Sequence, residues 1–182
     1  MTVIRQVDRR EVMSHFIPIE REKMKMPLID CSVMSTEELE DEVRNLCFSR
    51  GAIPFGIYLV GTVNDCRNKR IVKWILGAIP VQELYSCGVN PLTTDPILKG
   101  CNWNLSAACS NLPCPQMSKA MDETKEIIVT IKQNTPEKKG RFEVIDGFHR
   151  AMALIREGRK EVRSYIGLHK EDSKSASVGQ II

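Results

Sequence analysis

The feature that most constrains this chain is the run Phe142-Glu143-Val144-Ile145-Asp146-Gly147-Phe148-His149-Arg150, together with what flanks it. Residues 141–145 alternate, with Phe142 and Val144 on one side, and so predict a strand. Asp146-Gly147 breaks that alternation. Phe148–Arg156 then has helical spacing, with Ala151, Leu154 and Ile155 set to pack inward and Gly158 to close the helix. Residues 161–167 read as a last strand. Residues 126–132 are rich in β-branched side chains and read as an earlier strand, joined to that at 141–145 by the Pro- and Gly-containing turn at 134–140. A strand that passes through glycine into a helix has a definite chemistry. A helix start carries backbone N–H groups without intrahelical partners and the positive end of the helix dipole. Glycine, lacking Cβ, lets an anion come close to that backbone.

The side chains at the turn fit the same chemistry. Gly147, Phe148, His149 and Arg150 form the candidate phosphate-binding set. Arg150 presents a planar fork that matches phosphate oxygens, and His149 can donate to phosphate or carry a proton near neutral pH. Glu143, Asp146, His149 and Arg150 form the candidate catalytic set, with Asp146 the candidate metal ligand. Phosphate chemistry asks mainly for positioning and charge neutralisation, which cations and a metal-holding carboxylate supply. Glu143 lies three residues before Asp146, so on a regular strand the two face opposite ways. Only a bend or bulge near Ile145 brings Glu143 to the site. The bland reading stands beside this one: Asp-Gly before a helix is an ordinary turn, and His or Arg in a first turn is often a surface residue.

The order strand, turn, strand, DGFHR, amphipathic helix, glycine, basic turn, strand resembles the ParB/sulfiredoxin superfamily. The match runs through Val144-Ile145-Asp146-Gly147-Phe148-His149-Arg150-Ala151, then Ala153-Leu154, Glu157-Gly158 and Glu161-Val162. It covers roughly residues 124–168, within a module at 119–168. The resemblance implies an α/β (α+β) fold, a mixed sheet with flanking helices and a loop-rich insertion. It implies that Gly147, His149 and Arg150 grip phosphate, that ATP or a related nucleotide is bound with Mg²⁺, and that the activity is an ATPase or a metal-dependent DNase. Sulfiredoxin chemistry is not implied, because Phe148 stands where that branch has its attacking cysteine. The chain also ends soon after the matching core, where partition proteins continue into a helix-turn-helix domain. Plasmid fertility-inhibition factors of the oncogenic-suppression type, which act on conjugative DNA transfer, fit that length better. The alternatives are a non-catalytic regulator that binds nucleotide, DNA or protein, and a small-molecule kinase resembling the free-serine kinases.

Length and composition set the frame. The 182 residues suit one domain, and 42% hydrophobic with 27% charged residues is a globular balance. No apolar run approaches a membrane span, and charges near the N-terminus exclude a secretory signal, so the expected compartment is the cytoplasm. The net charge of +3 is too small to argue for nucleic acid, although residues 119–174 hold 13 Lys and Arg against 10 Asp and Glu and so carry all of it. The cysteines number seven, an odd count, and none has C-x-x-C spacing. Free buried thiols are expected. Cys101, Cys109 and Cys114 cluster, but zinc there needs a distant fourth donor.

Upstream of the motif the pattern is less sharp. Residues 2–26 suggest a short strand and a turn near Phe16-Ile17-Pro18. Ser35-Thr36-Glu37-Glu38 is a capping box opening a helix that buries Leu39, Val43 and Leu46 and ends near Gly51. Residues 53–63 read as a strand, and 68–76 as a second helix closed by Gly77 and Pro80. Residues 90–116 show little periodicity and read as an insertion or lid, offered to a protein partner.

Overall fold

The computed structural model describes residues 1–49, 71–86, 103–106, 126–131 and 142–169. The fold is mixed α+β, and the described residues form three α-helices and a seven-stranded mixed sheet. The strands are β1 (Thr2–Val7), β2 (Ile71–Pro80), β3 (Leu84–Ser86), β4 (Trp103–Asn104), β5 (Ile127–Ile131), β6 (Phe142–Asp146) and β7 (Glu161–His169). The helices are α1 (Arg9–Lys23), α2 (Thr36–Ser49) and α3 (Phe148–Arg156). The chain divides into two compact units. One comprises residues 1–5, 76–167 and 181–182, and the other residues 6–75 and 168–180.

The strands pair in the order β1-β2-β7-β5-β6-β3-β4, and β3, β4, β5 and β6 belong wholly to the first unit. β5 runs antiparallel to β6 and parallel to β7, while β3 runs parallel to β6 and antiparallel to β4. Ile127, Ile128, Val129 and Thr130 of central β5 are all buried, which explains its unbroken apolar run. Thr130 is the polar member, and its hydroxyl donates to the Gly167 carbonyl at 3.2 Å. α3 packs on β5 and buries Arg150, Ala151, Met152 and Ala153. It ends as its sequence predicts. Gly158 takes φ 81°, and the Glu157, Gly158 and Arg159 amides donate to the Ala153, Ile155 and Leu154 carbonyls.

The second unit is built on the α1–α2 hairpin, whose apolar stripes meet through Val12, Met13, Phe16, Ile17, Leu39, Val43 and Leu46. Ion pairs Arg9–Glu40 and Arg21–Glu42 join the two helices. Arginines also hold the connecting loop. Arg10 donates to the Cys31 and Ser32 carbonyls at 3.2 Å each, and Arg21 Nε to the Pro27 carbonyl at 2.6 Å. The capping box forms in both directions: the Ser35 amide donates to Glu38 Oε2 at 2.6 Å and the Glu38 amide to Ser35 Oγ at 3.2 Å. Cys31 and Cys47 are buried free thiols, as expected, and burial pushes the Cys31 thiol upward, away from its reactive form.

Three expectations change. The turn near Pro18 is helix: α1 runs through Pro18, and buried Phe16, Ile17 and Ile19 hold it across the one hydrogen bond proline cannot make. Its start was signalled by Asp8, whose carboxylate accepts from the Glu11 amide at 2.7 Å. The helix expected at 68–76 is strand β2 where it is described. Ile71, Trp74, Ile75, Leu76 and Ile79 are buried, so both faces of the strand are covered and its apolar run mimics a helical segment. Gly77 belongs to that strand rather than ending a helix, and a Cβ there would lie 2.8 Å from the Thr2 carbonyl oxygen. Within 90–116, Trp103–Asn104 forms edge strand β4, Leu105 is fully buried, and Ser106 Oγ donates to the Val81 carbonyl at 3.1 Å. The strand expected at 53–63, the turn at 134–140, the helix end near Gly51 and five of the cysteines lie outside the described residues.

Among the described residues, no helix is long and apolar enough to cross a membrane.

Candidate functional site

The β6–α3 turn forms as its sequence predicts. β6 ends at Asp146, Gly147 is the N-cap, and α3 begins at Phe148. Gly147 has φ 84° and ψ 23°, the left-handed region that residues with a Cβ avoid. Space excludes a Cβ as well. One built there would lie 2.7 Å from Ile127 Cγ2 and 2.8 Å from Arg150 Nη2. The first helical hydrogen bond runs from the Ala151 amide to the Gly147 carbonyl at 2.8 Å. Glycine has no oxygen to offer its own helix, and no side-chain cap bond from the N-cap is made.

The pairing of β5 and β6 decides where the carboxylates go. Thr130 lies opposite Glu143 and Val129 opposite Val144, but Ile128 lies opposite Asp146. Ile145 is therefore an extra residue, a β-bulge, at the position where one was needed. Thr130 and Ile128 share one face of β5, so Glu143 and Asp146 share that face of β6. Tyr85 joins them, because parallel β3 sets it beside Glu143. Tyr85 is a site residue that sequence reasoning missed; it is remote in the chain, and only the β3–β6 pairing brings it near. Glu143, Tyr85 and Asp146 are all half-buried.

Arg150 takes a different place from the one its motif suggested. Its side chain is only 8% exposed and turns back under the turn. Nη2 donates to Asp146 Oδ2 at 3.1 Å and to the Glu126 carbonyl at 3.1 Å, while the buried Nε has no hydrogen-bond partner among the described residues. The guanidinium thus ties the end of β6 to the start of β5. Glu126 is held from its other end by Arg163 on β7, Nε to Oε1 at 3.0 Å. Phe148 and His149 are half-buried, and their rings meet edge to face, with centroids 5.4 Å apart and planes at 77°. The structure thus pairs Arg150 with Asp146 and Phe148 with His149, and sets Glu143 on the face of β6 that Asp146 shares. Among the described residues, no group of three or more His, Cys, Asp or Glu is placed to hold a metal ion.

No protein-family model, curated protein or solved structure matches this chain.

Proposed function

We propose that this chain holds a phosphate group of a nucleotide or of DNA at the β6–α3 turn and hydrolyses it there, breaking a phosphoanhydride as an ATPase or a phosphodiester as a nuclease, of the kind the ParB/sulfiredoxin resemblance implies. The observation that carries the reading is the bulge at Ile145, which puts Glu143 and Asp146 on one sheet face beside a glycine-capped helix start. The start of α3 offers the phosphate the positive end of its helix dipole, and His149, in its first turn, meets the oxygens or takes a proton. Arg150 contributes from behind, holding Asp146 in place and lending positive charge to the turn.

Mg²⁺ commonly binds through one or two carboxylates together with substrate phosphates, and Glu143 and Asp146 are a donor set of that kind. When bound it would supply charge neutralisation. In this reading the ligands are nucleotide and DNA, residues 90–116 are offered to a protein partner, the compartment is the cytoplasm, and the setting is plasmid transfer.

A second reading, a regulator that binds phosphate without turning it over, is favoured by the Asp146–Arg150 pair, which already engages the carboxylate nearest the helix start. Nucleotide turnover and plasmid nicking, each with and without Mg²⁺, separate the two. The enzyme reading expects Mg²⁺-dependent turnover that Asp146→Asn and Glu143→Gln each reduce, and nucleotide binding that His149→Ala weakens. Binding without turnover in the wild type selects the regulator. No binding of ATP, ADP or DNA by a folded wild type overturns both.

A further inference from the structure

The second unit contains a cleft of about 570 Å³ that the proposed function does not use. One wall is the corner where β1 runs into α1, Gln6-Val7-Asp8-Arg9, and the other is Ile71, Lys73 and Trp74 of β2. That volume lies in the range of small-molecule sites. Val7, Ile71 and Trp74 are buried and make one side of it apolar.

The polar side is partly committed already. Asp8 Oδ1 caps α1 through the Glu11 amide, and Arg9 is paired with Glu40. Lys73 is half-buried and makes no ion pair among the described residues. Trp74, the next residue on the strand, is 3% exposed, and its indole Nε1 is buried without a hydrogen-bond partner among the described residues. A half-buried amine without a carboxylate partner, in the wall of a cleft that also has an apolar side, calls for a group that carries negative charge and accepts hydrogen bonds.

Charge selects among such groups. Asp8, Glu40, Arg9 and Lys73 sum to zero, so a monoanion is accommodated at Lys73 more readily than a dianion, which Asp8 would repel. From this we propose that the cleft binds a small organic carboxylate with an apolar body. The carboxylate lies against Lys73, flanked by Arg9, and the apolar body lies against Val7 and Ile71.

Trp74 provides the readout. The chain has only one other tryptophan, Trp103, so a full-length Trp103→Phe protein reports on Trp74 fluorescence alone. The titrants are benzoate and hexanoate, then acetate, then inorganic phosphate, with calorimetry as the second measurement. Saturable binding is expected for benzoate or hexanoate, weaker binding for acetate, and weaker binding still for phosphate. Lys73→Gln should raise the dissociation constant by about tenfold, the usual effect of losing a charge-assisted contact. His149→Ala should leave it unchanged, so this result and that of the β6–α3 turn fail or stand separately. Equal affinity in a folded Lys73→Gln protein, phosphate binding at least as tight as benzoate, or no saturable binding of any probe overturns the proposal.

Discussion

The three α-helix starts among the described residues meet one physical requirement in two ways. In the α1–α2 hairpin each helix is closed by its own side chains: Asp8 accepts from the Glu11 amide, and Ser35 and Glu38 cap each other's amides. In the β6–α3 turn the cap is a left-handed glycine that offers no side chain, and the nearest cation, Arg150, is folded behind it. The hairpin therefore satisfies its ends locally and gains its stability from an apolar seam. The turn depends on close approach: Gly147 against Ile127, and Arg150 against Asp146 and Glu126. A helix start that spends no side chain on itself is the one that can be given to a ligand.

The largest effect is expected at the turn. Gly147→Ala adds a Cβ in the left-handed region, at about 1–2 kcal/mol, and forces it against Ile127 and Arg150, at about 1–3 kcal/mol more. Urea unfolding should show a loss of about 3 kcal/mol; a neutral result would remove the contrast between a packed turn and a capped hairpin. Leu39→Ala probes the hairpin instead. Leu39 is fully buried in the α1–α2 seam, and its truncation should cost about 3 kcal/mol by the same assay.

Arg150→Met tests whether the guanidinium is structural. It strips Asp146, 13% exposed, of its buried partner, and a loss of about 2 kcal/mol is expected. Asp146→Asn in the same chain should return part of it, because no buried carboxylate then lacks its guanidinium. If the double variant loses the sum of the two single losses, the pair is not coupled.

The smallest effect is one of pH. Hydrogen bonds from the Ser35 amide and hydroxyl hold the Glu38 carboxyl below its ordinary value. A depressed folded value means that the contribution is complete above the ordinary glutamate pKa and is lost as pH falls through the folded one. The stability difference between wild type and Glu38→Gln should accordingly be present at about pH 6 and shrink progressively as pH falls below the ordinary glutamate value. A difference that persists in acid would mean that the capping box does not depend on charge.

What the sequence alone determined was local and periodic. β6, Gly147, α3 and Gly158 were legible because alternation, a glycine break and helical spacing are each written in neighbouring residues. The α2 capping box was legible for the same reason. Signals that depend on what covers a segment were not. β2 resembled a helix because burial on both faces erases alternation, and α1 was hidden by Pro18 although Asp8 and Glu11 marked its start. The candidate site divides along the same line. The residue types at 143–150 come from the sequence, but whether Glu143 and Asp146 share a face depends on the register of β6 against β5. That register is a long-range choice, and the bulge at Ile145 settles it. Tyr85 enters through pairing with a distant strand, and Arg150 turns inward because Asp146 and the Glu126 carbonyl meet beneath the turn. Chain neighbours fix a residue's local conformation, while its partners across the sheet fix which face it serves and whether its charge is free for a ligand.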